Sequence, residues 1–155
     1  MQCGLCCDRT FFGSVAIDLS EKARLARVGL RVVEEQGAVA MPQPCVALAD
    51  RLCSVYADRP TACAQYECSM RERVKGGTTT AEAAHATVTR MRRLLATMQS
   101  ALSMPTSSIW DAVAHIDHSE PTDPASPAGR RFDDGVRAVS ELLELAREVF
   151  EAKST

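Results

Sequence analysis

All seven cysteines of this chain lie within its first 68 residues: Cys3, Cys6 and Cys7 at the front, then Cys45, Cys53, Cys63 and Cys68. Residues 69–155 contain none. No other feature constrains the fold as much, because it separates a reactive or metal-binding head from an ordinary helical remainder. The odd count argues against a closed disulfide framework, which would leave one thiol over. The opening residues have neither a basic n-region nor an apolar h-region, so no signal peptide is expected and, with Met1 as the start, the expected location is cytoplasmic. Disulfides are rare in that compartment, and clustered cysteines there read first as metal ligands or redox thiols.

The chain reads as mainly α: a small bundle of about three longer helices behind the cysteine head, with one short extended segment. Phe11 to Ile17 is β-prone and short, so an extended segment is expected there. Asp18 as cap, Glu21 three residues on and Gly37 as terminator predict a first helix, with Leu19, Ala23, Ala26, Leu30 and Val33 on one face. After the breaker Gly76-Gly77, Thr79 and Glu82 form a capping box. Ala84, Val88, Met91, Leu95, Met98 and Leu102 then follow at helical spacing. Val136, Val139, Leu143, Ala146 and Phe150 give the last helix the same kind of stripe. Ser107 to His118 reads as a short helix with Ile109, Trp110 and Val113 inward, and Ser119 to Gly129 as a Pro-rich loop. Three similar stripes bury one another by helix-on-helix packing; a homodimer through the last helix is the other way to cover it.

A length of 155 residues fits one domain, with residues 1–70 as the cysteine head and 78–155 as the helical scaffold. The net charge of -2 gives no broad attraction to nucleic acid. The basic clusters Arg90–Arg93 and Arg130-Arg131 are short and read as solvated surface charge. No apolar run approaches the roughly 18–20 residues that a membrane helix needs, so no membrane partner is expected.

Cys3 and Cys6 form a C-x2-C pair, whose tight turn, helped by Gly4, aims two thiolates at one ion. Cys7 complicates this, because neighbouring side chains diverge and Cys6 and Cys7 do not readily share one tetrahedral zinc. Pro60 suits the first turn of a short helix that carries Cys63. Cys68 then sits about 140° round from Cys63 unless the helix breaks between them. Arg59 either favours a thiolate by its charge or pairs with Asp58. One buried cysteine packs as a small hydrophobe; seven in 68 residues point instead to soft donors for a metal.

The C-x2-C-C opening, the Pro44-Cys45 step and the string Cys53-Ser54-Val55-Tyr56-Ala57-Asp58-Arg59-Pro60-Thr61-Ala62-Cys63 resemble the YkgJ-type cysteine-cluster family. That family is described as zinc- or iron-chelating and is related to the flagellin lysine methylases. The resemblance covers roughly residues 3–68, and Cys-x2-Tyr-x2-Arg-Pro-x2-Cys is its most specific part. It implies a metal site assembled from Cys3, Cys6, Cys7, Cys45, Cys53 and Cys63, with Cys68 as a further candidate.

Six or seven thiolates exceed the four that one zinc or one cubane cluster takes. Either two metal centres share the head or some of the cysteines are not ligands. The leading function is therefore a cytosolic metal-binding protein whose cysteines hold zinc or iron, an iron–sulfur cluster among the options. The alternatives are a metal- or thiol-dependent enzyme acting on a protein or small molecule, and a thiol redox sensor built on Cys6 and Cys7. His115 and His118, with Asp111 one turn before, read as a polar helix end, and His85 as a surface residue. No nucleophile elbow, P-loop or glycine-rich S-adenosylmethionine fingerprint stands in the chain, so the sequence names no substrate.

Overall fold

The computed structural model describes residues 3–35, 37–104, 108–120 and 122–150, and it divides into two compact units, Met1–Tyr66 and Glu67–Thr155. The first unit opens with the cysteine hook and continues into β1 (Ser14–Ala16), a 3-10 turn at Leu19–Glu21 and α1 (Lys22–Arg27). Then come β2 (Val33–Glu35), β3 (Ala38–Pro42), β4 (Leu48–Ala49) and β5 (Leu52–Cys53), followed by a 3-10 turn at Tyr56–Asp58 and α2 (Thr61–Gln65). β3 is the centre of an antiparallel sheet of order β1-β3-β2, with Val15 opposite Met41 and Glu34 opposite Val39. Alternation along β3 turns Val39 and Met41 inward to join Ile17, Leu25, Leu30 and Ala47 in the core. Cys45, Cys53 and Cys63 pack, partly buried, against that same core.

The extended segment expected near Phe11–Ile17 is present as β1. The first helix expected between Asp18 and Gly37 is not: α1 has six residues, and Val33–Glu35 is a strand. The reason lies at Gly29, whose φ of +82° places it in the left-handed region. Leu30 N–H bonds Leu25 C=O at 3.0 Å and Gly29 N–H bonds Ala26 C=O at 3.1 Å, the paired bonds of a Schellman stop. Leu25 and Leu30, buried on either side of it, supply the apolar contact of that motif. The expected stripe fails with the helix, and Leu19 is 64% exposed.

The second unit is helical: α3 (Ser69–Lys75), α4 (Ala81–Ala101), α5 (Ile109–Asp117) and α6 (Pro127–Phe150). The fold is mainly α, as expected, but two long helices rather than three stand among the described residues. α4 is capped one residue later than expected: Thr80, not Thr79, accepts the Ala83 N–H. Its stripe holds, with Ala84, Val88, Met91, Met98 and Leu102 buried. α6 begins inside the expected Pro-rich loop, because Pro127 starts the helix, where its missing N–H costs nothing, and Ser126 Oγ accepts the Gly129 N–H.

The buried face of α6 is Gly135, Ala138, Val139, Leu142 and Val149, rotated from the expected stripe through Val136, Leu143 and Phe150. Small residues set this rotation: a Cβ on Gly135 would stand 2.5 Å from Leu102 Cδ2, so only glycine lets the end of α4 approach so closely. In α5 the Ser108–Asp111 capping box fixes the helix phase with Ile109 and Ala112 buried. Trp110, one step round from Ile109, is 56% exposed rather than inward. Ser107, where that helix was expected to begin, lies outside the described residues.

Gly135→Ala is expected to destabilise the helical unit by about 1 kcal/mol, because overpacking of about 1–3 kcal/mol outweighs about 1 kcal/mol gained in helix propensity. Adding Leu102→Ala should recover about 1 kcal/mol relative to the sum of the two single changes. Strictly additive costs in urea unfolding would exclude the Leu102 contact as the cause.

Candidate metal centre

Short-range geometry builds the hook. Gly4, at φ +71°, turns the chain so that its carbonyl accepts from Cys7 N–H at 2.9 Å and Asp8 N–H at 3.0 Å. A Cβ on Gly4 would lie 3.3 Å from both Arg51 Cα and Leu48 Cδ1, so the hook lies close against the β4–β5 hairpin. That hairpin turns through Asp50 and Arg51, whose φ values of +47° and +66° are those of a type I′ turn. The join to the second cysteine segment is a backbone bond: Cys45 N–H donates to Cys7 C=O at 2.8 Å.

α2 carries Cys63, and its position is set from a distance in sequence. The Glu21 carboxylate accepts Thr61 N–H at 3.1 Å and Thr61 Oγ1–H at 2.9 Å, capping α2 across 40 residues of chain. Arg24 holds that carboxylate at 2.6 Å and also donates to Asp58 C=O at 2.7 Å. Burial raises the Glu21 carboxyl, but the hydrogen bonds from Thr61 and Arg24 outweigh it and keep it below its ordinary value. The sequence offered Glu21 as part of its own helix start; its actual partner lies on another element.

All seven cysteines are outside any disulfide and half-buried. Cys6 and Cys7, expected to diverge, instead bring their sulfurs to 3.7 Å. Two sulfurs bound tetrahedrally to one zinc at 2.3 Å are separated by about 3.8 Å, so this pair already spans one edge of a zinc tetrahedron. Cys45, Cys53 and Cys63 belong to the same neighbourhood, because their charges act on one another and on the hook. Cys68 stands at the N-terminal end of α3 in the second unit, without a capping bond from its side chain, and the helix carrying Cys63 does end before it, with Tyr66 extended. Among the described residues no three His, Cys, Asp or Glu side chains form a finished coordination shell. Three of these sulfurs, those of Cys45, Cys53 and Cys63, pack on one small core, and as soft donors they suit a thiophilic ion or an iron–sulfur cluster.

The thiols are electrostatically uneven. The Cys7 hydrogen bond lowers the Cys6 thiol to about 7, against the opposing effect of burial, while the same contact and burial drive Cys7 upward. Burial raises Cys45 and pushes Cys63 up to about 11, with neighbouring cysteines adding to both. Arg59 opposes the rise at Cys63 without cancelling it; its guanidinium stacks 3.7 Å above the Tyr56 ring. His118 bonds Ala114 C=O at 2.7 Å, and Asp111 is engaged in the α5 capping box.

In metal-free, reduced protein, Cys6 should be the first thiol of the group alkylated as pH rises from 7 to 9, because its thiolate forms before that of Cys63. Mass mapping after brief iodoacetamide treatment reads this directly, and faster labelling of Cys63 would contradict it.

A model of the CxxCxxCC family, described as "Putative zinc- or iron-chelating domain", matches residues 1–90. The match agrees with the cysteine-cluster resemblance and extends past Cys68 into the long helix α4. Comparison with curated proteins and with solved structures gives no match.

Proposed function

Since the chain belongs to the CxxCxxCC family of zinc- or iron-chelating domains, we propose that it is a cytoplasmic metal-binding protein in which cysteine thiolates hold zinc or an iron–sulfur centre. The observation that carries this reading is the approach of Cys6 and Cys7 sulfurs to 3.7 Å within a group that also draws in Cys45, Cys53 and Cys63. Those five are the proposed first choice of ligands, with Cys3 and Cys68 as further candidates. Bound metal would supply a positive centre that keeps several thiolates deprotonated in a partly buried place. The chain contributes the rest: Gly4 turns the hook, the Cys7–Cys45 backbone bond fixes the two segments, and Glu21 anchors the helix of Cys63.

Anaerobic purification with elemental analysis and visible spectroscopy tests this. About one equivalent or more of zinc or iron is expected, colourless for zinc and brown for iron–sulfur. Less than about half an equivalent in folded, reduced protein would sink the reading. Cys→Ser variants at each of the seven positions then sort ligands from bystanders, with losses expected first at Cys6, Cys7, Cys45, Cys53 and Cys63.

Chelation should loosen the first unit and spare the second, because α4 and α6 bury their stripes on each other. Hydrogen exchange is expected to accelerate within residues 3–66 while protection persists in α4 and α6. A single concerted loss of protection along the whole chain would contradict independent support of the helices.

A further inference from the structure

Gln43 is 7% exposed, and neither Nε2 nor Oε1 of its amide has a hydrogen-bond partner among the described residues. Buried side-chain amides are ordinarily paired, so an orphaned one marks a strained site or a partner that completes it. Its location narrows the choice. Gln43 follows β3, where Val39 and Met41 face the core at alternate positions, and Gln43 is the next buried residue in that alternation. That core is the one against which Cys45, Cys53 and Cys63 pack. The backbone on either side is pinned: Gln43 N–H donates to Gly13 C=O at 2.9 Å, and Cys45 N–H donates to Cys7 C=O at 2.8 Å. The amide thus belongs to the short segment that joins the sheet to the cysteine hook.

An amide at such a place has a chemical use. Metal ligation requires deprotonated cysteines, and the five thiolates of the group carry more negative charge than one divalent ion cancels. A neutral N–H donor lowers the charge on a bound sulfur without competing for the metal, the usual part of groups placed just outside a metal's own ligands. We infer that Gln43 is a positioning residue of the cysteine group, its buried amide N–H donating to a metal-bound thiolate sulfur. The inference rests on the metal-binding reading above and adds to it a residue that is not a ligand.

Gln43→Leu keeps the volume and removes both polar atoms; Gln43→Glu keeps the shape and replaces the donor by an acceptor. Zinc affinity is measured by chelator competition, thermal unfolding is followed with and without zinc, and cobalt(II) replaces zinc as a spectroscopic probe. Gln43→Leu should leave the metal-free protein as stable as wild type or more so, because an unpaired buried amide is removed. It should weaken zinc binding about 10- to 100-fold and shift the thiolate-to-cobalt absorption, and Gln43→Glu should weaken zinc binding at least as much. Zinc affinity within about threefold of wild type and an unmoved cobalt spectrum would overturn the inference and assign the amide to a buried water or to packing. A Gln43→Leu chain that fails to fold without metal also overturns it, since the amide would then serve the metal-free core. If wild type itself takes up neither zinc nor cobalt, the metal-binding reading falls and this inference with it. If wild type binds and both variants are unchanged, only the role of Gln43 falls.

Discussion

The 2.8 Å hydrogen bond from the Cys45 amide to the Cys7 carbonyl joins two stretches of chain 38 residues apart in sequence. Between them run a strand, a short helix and a hairpin, whose core of Ile17, Leu25, Leu30, Val39 and Met41 brings residue 45 back to residue 7. Burial of those side chains is the driving force, and the backbone bond fixes the register between the two segments. That join sets the backbone of Cys45 beside the hook that carries Cys6 and Cys7, while the β4–β5 hairpin and α2 carry Cys53 and Cys63 against the same core as Cys45.

A cysteine group assembled in this way disfavours thiolates that have no cation beside them. Burial and mutual repulsion raise Cys45 and Cys63, so the metal-free state holds most of its sulfurs as thiols. Cys6 is the exception, because the adjacent Cys7 thiol donates to its thiolate. An incoming cation therefore meets one ready anion and must displace protons from the others, which makes binding depend on pH in the direction of tighter binding at higher pH. In the second unit the apolar faces are covered without cysteines: α4 and α6 close on each other, with Gly135 admitting Leu102.

Local signals were legible wherever one short segment settles its own geometry. Asp18 does cap the turn at Leu19–Glu21, Pro60 does precede the helix of Cys63, and the stripe of α4 is buried as its spacing required. Signals failed where a nearby alternative or a distant partner decided. Gly29 stopped α1 before Gly37 could, because Leu30 folds back onto Leu25. The face of α6 turned because close packing selects Gly135 and Ala138 over larger neighbours. Glu21 serves Thr61, forty residues away, and nothing in its local sequence announces that.

By itself the sequence determined where the soft donors lie: seven sulfurs in one head, a C-x2-C-C hook, and a helical remainder without cysteine. Composition and spacing suffice for that, since ligand softness belongs to the residue type. Only the tertiary structure decided which sulfurs meet, because convergence depends on backbone turns and a shared core. It brought the adjacent Cys6 and Cys7 onto one edge of a potential tetrahedron, where neighbouring side chains were expected to part. It also buried the Gln43 amide without a partner among the described residues, two residues before Cys45, a burial that continues the alternation of β3 and is invisible in the residue alone.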